Sequence, residues 1–232
     1  MWTIFGVEID PNPIWTTLSV ALTTTAILLV IGVPIAWKLA RMTSRWKVLF
    51  EALVALPLVL PPTVLGFYLL ISMNPNGMVA EALRFLGHPD GQLTFTFTGL
   101  VIGSVFYSLP FAVQPLMHAF EQVPQALLDA AKTMRANRIS LFWQIIVPLS
   151  RRGFLTAATL AFAHTVGEFG VVLMVGGNIP DETRMVSIAI FDHVETLEYA
   201  QAHVLSLIML LFSFTVLLGV YALNRKFDVK VG

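Results

Sequence analysis

The sequence has no cysteine, few charged residues and no P-loop motif. Without cysteine, the chain forms neither disulfide bonds nor thiolate metal sites. Only 12% of its 232 residues are charged, whereas 56% are hydrophobic, and the mean hydropathy is +0.78. This composition is more apolar than that of an ordinary soluble domain and predicts several membrane spans. Because the pattern GxxxxGK followed by Ser or Thr is missing, we expect no ATP hydrolysis by this chain. The net charge is zero, so the composition gives no reason to expect a nucleic-acid partner.

Five apolar stretches of the sequence are long enough to cross a membrane as helices. A spanning helix needs about 20 mostly apolar residues. The stretches that meet this length comprise residues 14–40, 48–73, 95–119, 153–175 and 200–223. We therefore predict an all-α polytopic membrane protein in which residues 1–232 form one transmembrane domain. The alternative is a protein with four spans, in which the remaining apolar segment is buried or re-entrant.

The Lys and Arg residues are concentrated on one predicted side of the membrane. Twelve of the fourteen lie between spans one and two, between spans three and four, or after span five: Lys38, Arg41, Arg45, Lys47, Lys132, Arg135, Arg138, Arg151, Arg152, Arg225, Lys226 and Lys230. Only Arg84 and Arg184 fall on the other side. The positive-inside rule therefore predicts an outside N-terminus and a cytosolic C-terminus. No Lys or Arg precedes the first span, so we expect no cleavable secretory signal.

The predicted number of spans is odd, and the sequence shows no internal repeat. Both features argue against a secondary transporter that is complete in one chain. A transport pathway is then expected between two copies related by a two-fold axis. A proton-driven anion carrier and a membrane-embedded enzyme are the alternatives. The enzyme is disfavoured because the spans contain no paired carboxylates and no nucleophile–base pair, so we expect no catalytic residue.

Residues 121–148 form a polar, helix-prone insert on the predicted cytosolic side. Pro124 is placed to start a helix, because proline suits the first helical turn. Apolar residues then recur at spacings of three and four and predict one stripe: Ala126, Leu127, Ala130, Ala131 and Met134. A second short helix over 139–146 is expected to end before Pro148. The insert either rests on lipid headgroups or docks in the groove of a partner protein.

The insert carries a recognisable pattern. It reads Asp129-Ala-Ala, three residues, Arg135, nine residues, and then Ile-Ile-Val-Pro ending at Pro148. This pattern resembles the cytosolic signature of bacterial ABC importer permeases, which is Glu-Ala-Ala, three residues, Gly, nine residues, and Ile-x-Leu-Pro. Arg135 stands at the position of the glycine, and we expect it to disturb a sharp turn that glycine would permit.

In that family the signature forms a coupling helix, which sits in a cleft of the ATP-hydrolysing subunit. The resemblance implies that the ATPase-coupling residues of this chain are Asp129, Ala130, Ala131, Met134, Arg135 and Pro148.

Two further strings narrow the resemblance. The sequence LPLVLPPTVLGFYLL at 56–70 and the sequence HTVGEFGVVLMVGGNIPDETRMVSIAIFDHVE at 164–195 are similar to the permease subunit of molybdate importers. The elements GEFG and GNIP are shared with sulfate permeases. The resemblance therefore implies a permease for molybdate or tungstate, and the alternative cargo is sulfate or thiosulfate.

The same resemblance implies partners and a location. A second copy of the chain would complete the pathway, two cytosolic ATPase subunits would hold ATP and Mg, and an extracytoplasmic oxyanion-binding protein would deliver the cargo. Membrane lipid would surround the spans. The location implied is the cytoplasmic (inner) membrane of a bacterium or archaeon. No cofactor is expected on this chain itself.

The predicted pathway residues begin in the second span, at Pro61, Pro62 and Thr63. Each proline removes a backbone donor, and such a break is tolerated in a membrane where protein or water covers it. The three residues either line a transport pathway or form a kink set by packing. No Lys or Arg lies in the middle of a span, so we expect a tetrahedral dianion to be held only weakly. Recognition would then belong to the binding protein.

The remaining pathway residues lie in and after the fourth span. Glu168 is an acidic residue at predicted membrane depth, with His164 one turn earlier, and such residues carry a functional hypothesis by default. A fixed negative charge would repel a dianion, so we expect Glu168 to form structural hydrogen bonds or to be neutral. Gly167 and Gly170 would allow close helix approach.

The exit of the fourth span, which contains Asn178, is rich in glycine. Its backbone N–H groups could hold an anion, or the exit could be a plain tight turn. Glu168 and His164 are only two candidate metal ligands, so we expect no metal site.

Overall fold

The computed structural model describes residues 1–85 and 93–226, and these ranges are mainly helical. The helices are α1 (Asn12–Ala40), α2 (Lys47–Val59), α3 (Pro62–Met73), α4 (Met78–Phe85), α5 (Phe97–Glu121), α6 (Gln125–Thr133), α7 (Arg138–Leu141), α8 (Val147–Val166), α9 (Gly170–Gly176), α10 (Val186–Glu195) and α11 (Tyr199–Lys226), with a π-helical turn at Phe142–Ile146. The predicted cytosolic cation Lys230 lies outside the described residues.

The prediction of an all-α protein with about five spans is confirmed. Four of the described helical stretches are long and apolar enough to cross a membrane: Asn12–Ala40, Phe97–Glu121, Ile139–Val166 and Tyr199–Val220. The pair α2 and α3 passes the same test as a fifth, bent span. The alternative of four spans applies if α2 and α3 form a re-entrant loop instead of one broken span.

The second predicted span, 48–73, is broken rather than straight. The axes of α2 and α3 differ by 106°. Leu60 and Pro61 both have extended backbones, each with a ψ of 133°. Each precedes a proline, and the proline ring disfavours a helical conformation of the residue before it. The dipeptide Pro61-Pro62 therefore ends α2, and Pro62 begins α3.

The fourth predicted span, 153–175, is corrected at both ends. The helix starts before it, because α7, the π-helical turn and α8 follow one another without a break from 138 to 166. Pro148 lies in the first turn of α8 and does not end a helix. The π-helical turn directly before it widens the backbone where the proline ring would otherwise clash with the carbonyl group four residues earlier. The span also ends earlier than predicted, because Gly167 caps α8 and α9 begins at Gly170.

Helices α1, α5 and α8 form the centre of the bundle. Close approach of α5 and α8 depends on Gly153, because a β-carbon there would lie 2.2 Å from the Cβ of Ala119. Near the C-terminal ends of α1 and α5, a core cluster contains Leu39, Leu116 and Phe120. This end of the bundle also carries α6, and we call it the basic end. By contrast, α2 has no buried residue.

The sequence did not predict two elements of the opposite end. An antiparallel hairpin pairs β1 (Trp2–Ile4) with β2 (Val7–Ile9), and its turn uses left-handed backbones at Phe5 and Gly6. The hairpin packs through Ile9 on a cluster from α10 and α11. Helix α10 lies between the fourth and fifth predicted spans, where no helix was predicted.

Candidate coupling surface and transmembrane cavity

Helix α6 lies at the basic end and packs on the bundle through one face. Val123 and Leu128 are buried in the core cluster that contains Phe120. Ala131 is 8% exposed. Pro124 directly precedes the helix, and its carbonyl oxygen accepts a hydrogen bond from the amide of Leu127 at 3.1 Å. The helix predicted after Pro124 is therefore present and is attached to the bundle by its own apolar residues.

The predicted apolar stripe is divided between two faces of α6. Leu127 is 45% exposed and Met134 is 83% exposed, and Ala130 between them is exposed as well. Ala131 faces the bundle instead, which corrects its placement on the stripe. We call Leu127, Ala130 and Met134 the exposed stripe. Their spacing of three and four residues keeps them on one side of the helix.

Arg135 takes the conformation that glycine would favour. Its φ is 57°, and the amide of Ala136 donates to the carbonyl oxygen of Ala131 at 3.0 Å. This six-residue hydrogen bond with a left-handed residue inside it is the Schellman ending of a helix. The expected disturbance of the turn is therefore absent. The non-glycine residue costs about 1–2 kcal/mol in this conformation.

A cavity of about 570 Å³ lies where the two broken helices meet. Its lining comprises Pro62, Thr63, Tyr107, Ala163, His164, Gly167, Glu168, Phe169, Gly170, Leu173 and Met174. Helix α3 packs tightly on α9 beside it, since a β-carbon at Gly66 would lie 2.8 Å from the Cβ of Met174. Five of the predicted pathway residues therefore surround one space: Pro62, Thr63, Gly167, Glu168 and Gly170.

The two other predicted pathway residues do not line this cavity. Pro61 adjoins it at the break before α3. Asn178 is engaged elsewhere, because its Oδ1 accepts from Nε of Arg184 at 2.6 Å. Arg184 also lies 3.5 Å from a carboxylate oxygen of Asp192. The described residues that line the cavity include no Lys or Arg.

Glu168 is the buried acidic group of the cavity wall. It is 2% exposed, and neither of its carboxyl oxygens has a hydrogen-bond partner among the described residues. The hydroxyl of Ser104 lies beside it and also has no such partner. The backbone of Glu168, unlike its side chain, has a hydrogen-bond partner, because the hydroxyl of Ser187 donates to the Glu168 carbonyl oxygen at 2.6 Å. The predicted side-chain hydrogen bonds are thus not made within this part of the chain.

His164 is fixed by neighbours on α5 and does not pair with Glu168. Its Nδ1 lies 2.8 Å from Oγ of Ser108, and its ring stacks on Phe111 with centroids 3.9 Å apart. Tyr107 packs on it with ring centroids 4.6 Å apart. The two residues do not lie one helical turn apart as predicted, because α8 ends at Val166 and is capped by Gly167, before Glu168. Hydroxyl groups on α5 were not identified from the sequence, since Ser in an apolar helix carries no distinctive pattern.

The chain is similar to known transport proteins along almost its whole length. Residues 16–229 match the family profile described as "Binding-protein-dependent transport system inner membrane component". The chain is 59% identical over 218 residues to the molybdenum transport system permease protein ModB of Azotobacter vinelandii, with 94% of this chain and 96% of that protein covered. It is 34% identical over 214 residues to the probable sulfate transport system permease protein cysT of Nephroselmis olivacea, with 91% and 74% covered.

A solved structure has the same fold. The inward-facing MetNI methionine ABC transporter aligns with a TM-score of 0.68 at 15% identity, and the alignment covers 92% of this chain and 94% of that one. At this identity the likeness supports the arrangement of helices alone.

Proposed function

The chain belongs to the family of binding-protein-dependent transport system inner membrane components, the permease subunits of ABC importers, and on this basis we propose that it imports molybdate or tungstate. The 59% identity to a molybdenum permease supports this cargo. Sulfate is the second candidate, supported by the 34% identity to a sulfate permease. Both cargoes are tetrahedral dianions. The cavity lining has no Lys or Arg among the described residues, so it would bind either anion only weakly.

The observation that carries the coupling role is the exposed stripe on α6. The stripe is the apolar surface of α6 that the bundle leaves exposed, and such a surface indicates a partner that covers it. Two residues of the stripe, Ala130 and Met134, lie in the segment that resembles the coupling signature, and Ala130 is the second residue of that signature. We assign a cytosolic ATPase subunit as the partner, and place the basic end on the cytosolic side by the positive-inside rule.

A second copy of the chain is proposed to cover the bent pair α2 and α3. None of the α2 residues is buried, and large apolar side chains are exposed along both helices: Leu49, Leu53, Leu56, Val59, Val64, Phe67, Tyr68 and Ile71. Membrane lipid covers some apolar surface of any span, but α3 also forms part of the cavity wall. A homodimer in which the two bent pairs face each other would place both cavities near a shared pathway.

The proposed mechanism is alternating access driven from outside the chain. ATP binding closes the two ATPase subunits, and the movement is passed to α6. The bundle then changes from open inward to open outward, and the binding protein releases its oxyanion into the cavity. ATP hydrolysis returns the bundle to the inward-open state, and the cargo leaves on the basic side.

The test is reconstitution of the complete importer in proteoliposomes. The chain, the ATPase subunits and the binding protein are combined, and molybdate accumulation is measured with internal ATP, with sulfate in excess as competitor. We expect accumulation that requires ATP and all three components and that sulfate does not suppress. Suppression by sulfate would reassign the cargo. Uptake that follows a proton gradient without the ATPase would contradict the proposal and support a secondary carrier.

A further inference from the structure

Arg41 lies directly after α1, at the place where α5 ends and α6 begins. Its Nη2 donates to the carbonyl oxygens of Phe120 and Val123, at 3.0 Å each. Its Nη1 donates to Oε1 of Gln125 at 3.2 Å. One guanidinium group therefore joins three elements: the end of α1, the end of α5 and the first residue of α6.

The geometry explains why an arginine occupies this position. The last carbonyls of a helix have no intrahelical donor and form the negative end of the helix dipole, which attracts a cation. The planar guanidinium offers several donors in a fixed fork, so it can bind two carbonyls and a side-chain amide together. It also lies over the Trp37 ring, 4.9 Å from the centroid. A lysine at this position would supply the charge without the fork.

The polar contact continues into α6. The Nε2 of Gln125 donates to Oδ1 of Asp129 at 2.9 Å, one turn further along the helix. Asp129 is the acidic residue of the segment that resembles the coupling signature. Side chains thus connect the end of α1 to that acidic residue through Arg41 and Gln125.

An apolar contact runs parallel to this polar one. Leu128 of α6 packs in the same cluster as Leu39 of α1 and Phe120 of α5. Only residues 122–124 separate α5 from α6 in the chain, so α6 is short, close to the bundle and held on two sides. Helix α1 in turn packs along both α5 and α8. A displacement of α6 that is carried to α1 therefore reaches the centre of the bundle.

We propose that Arg41 is a positioning residue that transmits the movement of α6 to α1 and so couples ATP hydrolysis to transport. This inference rests on the proposed function, in which α6 docks on the ATPase. Arg41 does not contact cargo or nucleotide in this scheme. It acts through Gln125 and through the carbonyl groups at the end of α5.

Arg45 provides a matched control. It lies four residues later in the same loop, is exposed, and forms no hydrogen bond or ion pair with any residue that the structure describes. Arg45→Gln removes the same charge from the same loop as Arg41→Gln does, and Arg45→Lys exchanges the same side chains as Arg41→Lys, while both leave the contacts of Arg41 in place.

The experiment measures molybdate imported per ATP hydrolysed in proteoliposomes that contain the complete importer. The variants are Arg41→Lys, Arg41→Gln and Gln125→Ala, with Arg45→Lys and Arg45→Gln as controls. The amount of ATPase subunit recovered with each variant is measured in parallel. We expect the Arg41 variants to retain ATP hydrolysis while the import ratio falls roughly fivefold or more, the range of ordinary coupling between sites. The Arg45 variants should keep the original ratio.

Gln125→Ala tests the contact between Arg41 and α6 with less structural damage, because it leaves both hydrogen bonds from Arg41 to backbone carbonyls intact. It should lower the ratio by a smaller factor, and it should add nothing in the Arg41→Gln background, since the two residues share one contact. A merely structural Arg41 would lower the amount of assembled importer and leave the ratio unchanged.

An unchanged ratio in assembled Arg41→Lys and Gln125→Ala importers would overturn the inference and leave the proposed function standing. Should Arg41→Gln fail to assemble, those two variants decide the outcome. Failure of the unaltered chain to retain ATPase subunits, or to import molybdate with them, would overturn both.

Discussion

Gly170, the first residue of α9, packs directly on Pro62, the first residue of α3. A β-carbon at position 170 would lie 2.7 Å from the Cβ of Pro62. Each residue stands at a break in a helix: Pro62 follows the bend between α2 and α3, and Gly170 follows the end of α8 at Gly167. The two breaks are therefore packed against each other, and the cavity lies beside this contact.

Gly170→Ala should disturb this contact and reduce both stability and uptake. The added methyl group meets a rigid proline ring, so one of the two helices must shift, and overpacking of this kind costs about 1–3 kcal/mol. Thermal unfolding of the purified chain and molybdate uptake by the assembled importer measure the effect.

Gly219→Ala is the control for that substitution. A β-carbon at Gly219 has no atom within 4 Å among the described residues. Because alanine favours a helix more than glycine does, by about 1 kcal/mol, this variant should be neutral or stabilising. Equal behaviour of the two alanine variants would show that the contact between Gly170 and Pro62 has no role.

Arg135→Gly should stabilise the end of α6 and preserve uptake. Glycine adopts a positive φ without the steric cost that Arg135 bears, although its greater freedom in the unfolded chain offsets part of the gain. A rise of about 0.5–1 kcal/mol is expected in the free energy of unfolding. Arg135→Val is the contrasting variant, because a β-branched side chain tolerates this backbone poorly. Loss of uptake in the glycine variant would show that the Arg135 side chain itself is required.

Glu168→Gln should retain most of the uptake. The amide has nearly the shape of the carboxyl group, and no described residue makes a hydrogen bond to either carboxyl oxygen that the change would break. A proton-driven carrier that used Glu168 would be inactivated by the same change. Uptake is measured after the amount of assembled importer has been matched to that of the unaltered chain. Loss of uptake at matched assembly would contradict the structural role.

The purified chain should bind molybdate too weakly for detection by calorimetry in the micromolar range. A tight site for a dianion needs Arg or Lys side chains or several backbone donors, and the described cavity lining has no such cation. The binding protein, titrated under the same conditions, serves as the positive control. A clear titration of the chain alone would show that the pathway itself recognises its cargo.

Hydropathy and charge predicted the number of spans, because both depend on sums over many residues. The breaks depend on single residues and were only partly predicted. Pro61 and Pro62 indicated a break in the second span, but the 106° angle follows from two successive extended residues. The end of α8 at Gly167 was missed, since an isolated glycine in an apolar run does not by itself end a helix. His164 and Glu168, which were predicted to lie one turn apart on one helix, are therefore separated by the end of that helix.

The α6 stripe shows a second limit of sequence patterns. Ala130 and Ala131 are adjacent alanines, and periodicity alone placed both on one apolar side. In the structure Ala131 faces the bundle and Ala130 faces outward. A helix that packs on its own chain and also binds a partner has two apolar faces. The sequence pattern does not show which face contacts the chain and which contacts the partner. The contribution of the named coupling residues therefore stays a prediction.

The central claim, that α6 docks on an ATPase, is tested most directly by cross-linking from single cysteines. The natural chain has no cysteine, so Ala130→Cys and Ala131→Cys each carry one thiol, which is modified with a maleimide photo-cross-linker in membranes that contain the complete importer. The account predicts that Ala130→Cys forms an adduct with the ATPase subunit whose yield changes with ATP, and that the buried Ala131→Cys reacts poorly. An Ala130→Cys probe that labels only phospholipid, with and without ATP, would contradict the account.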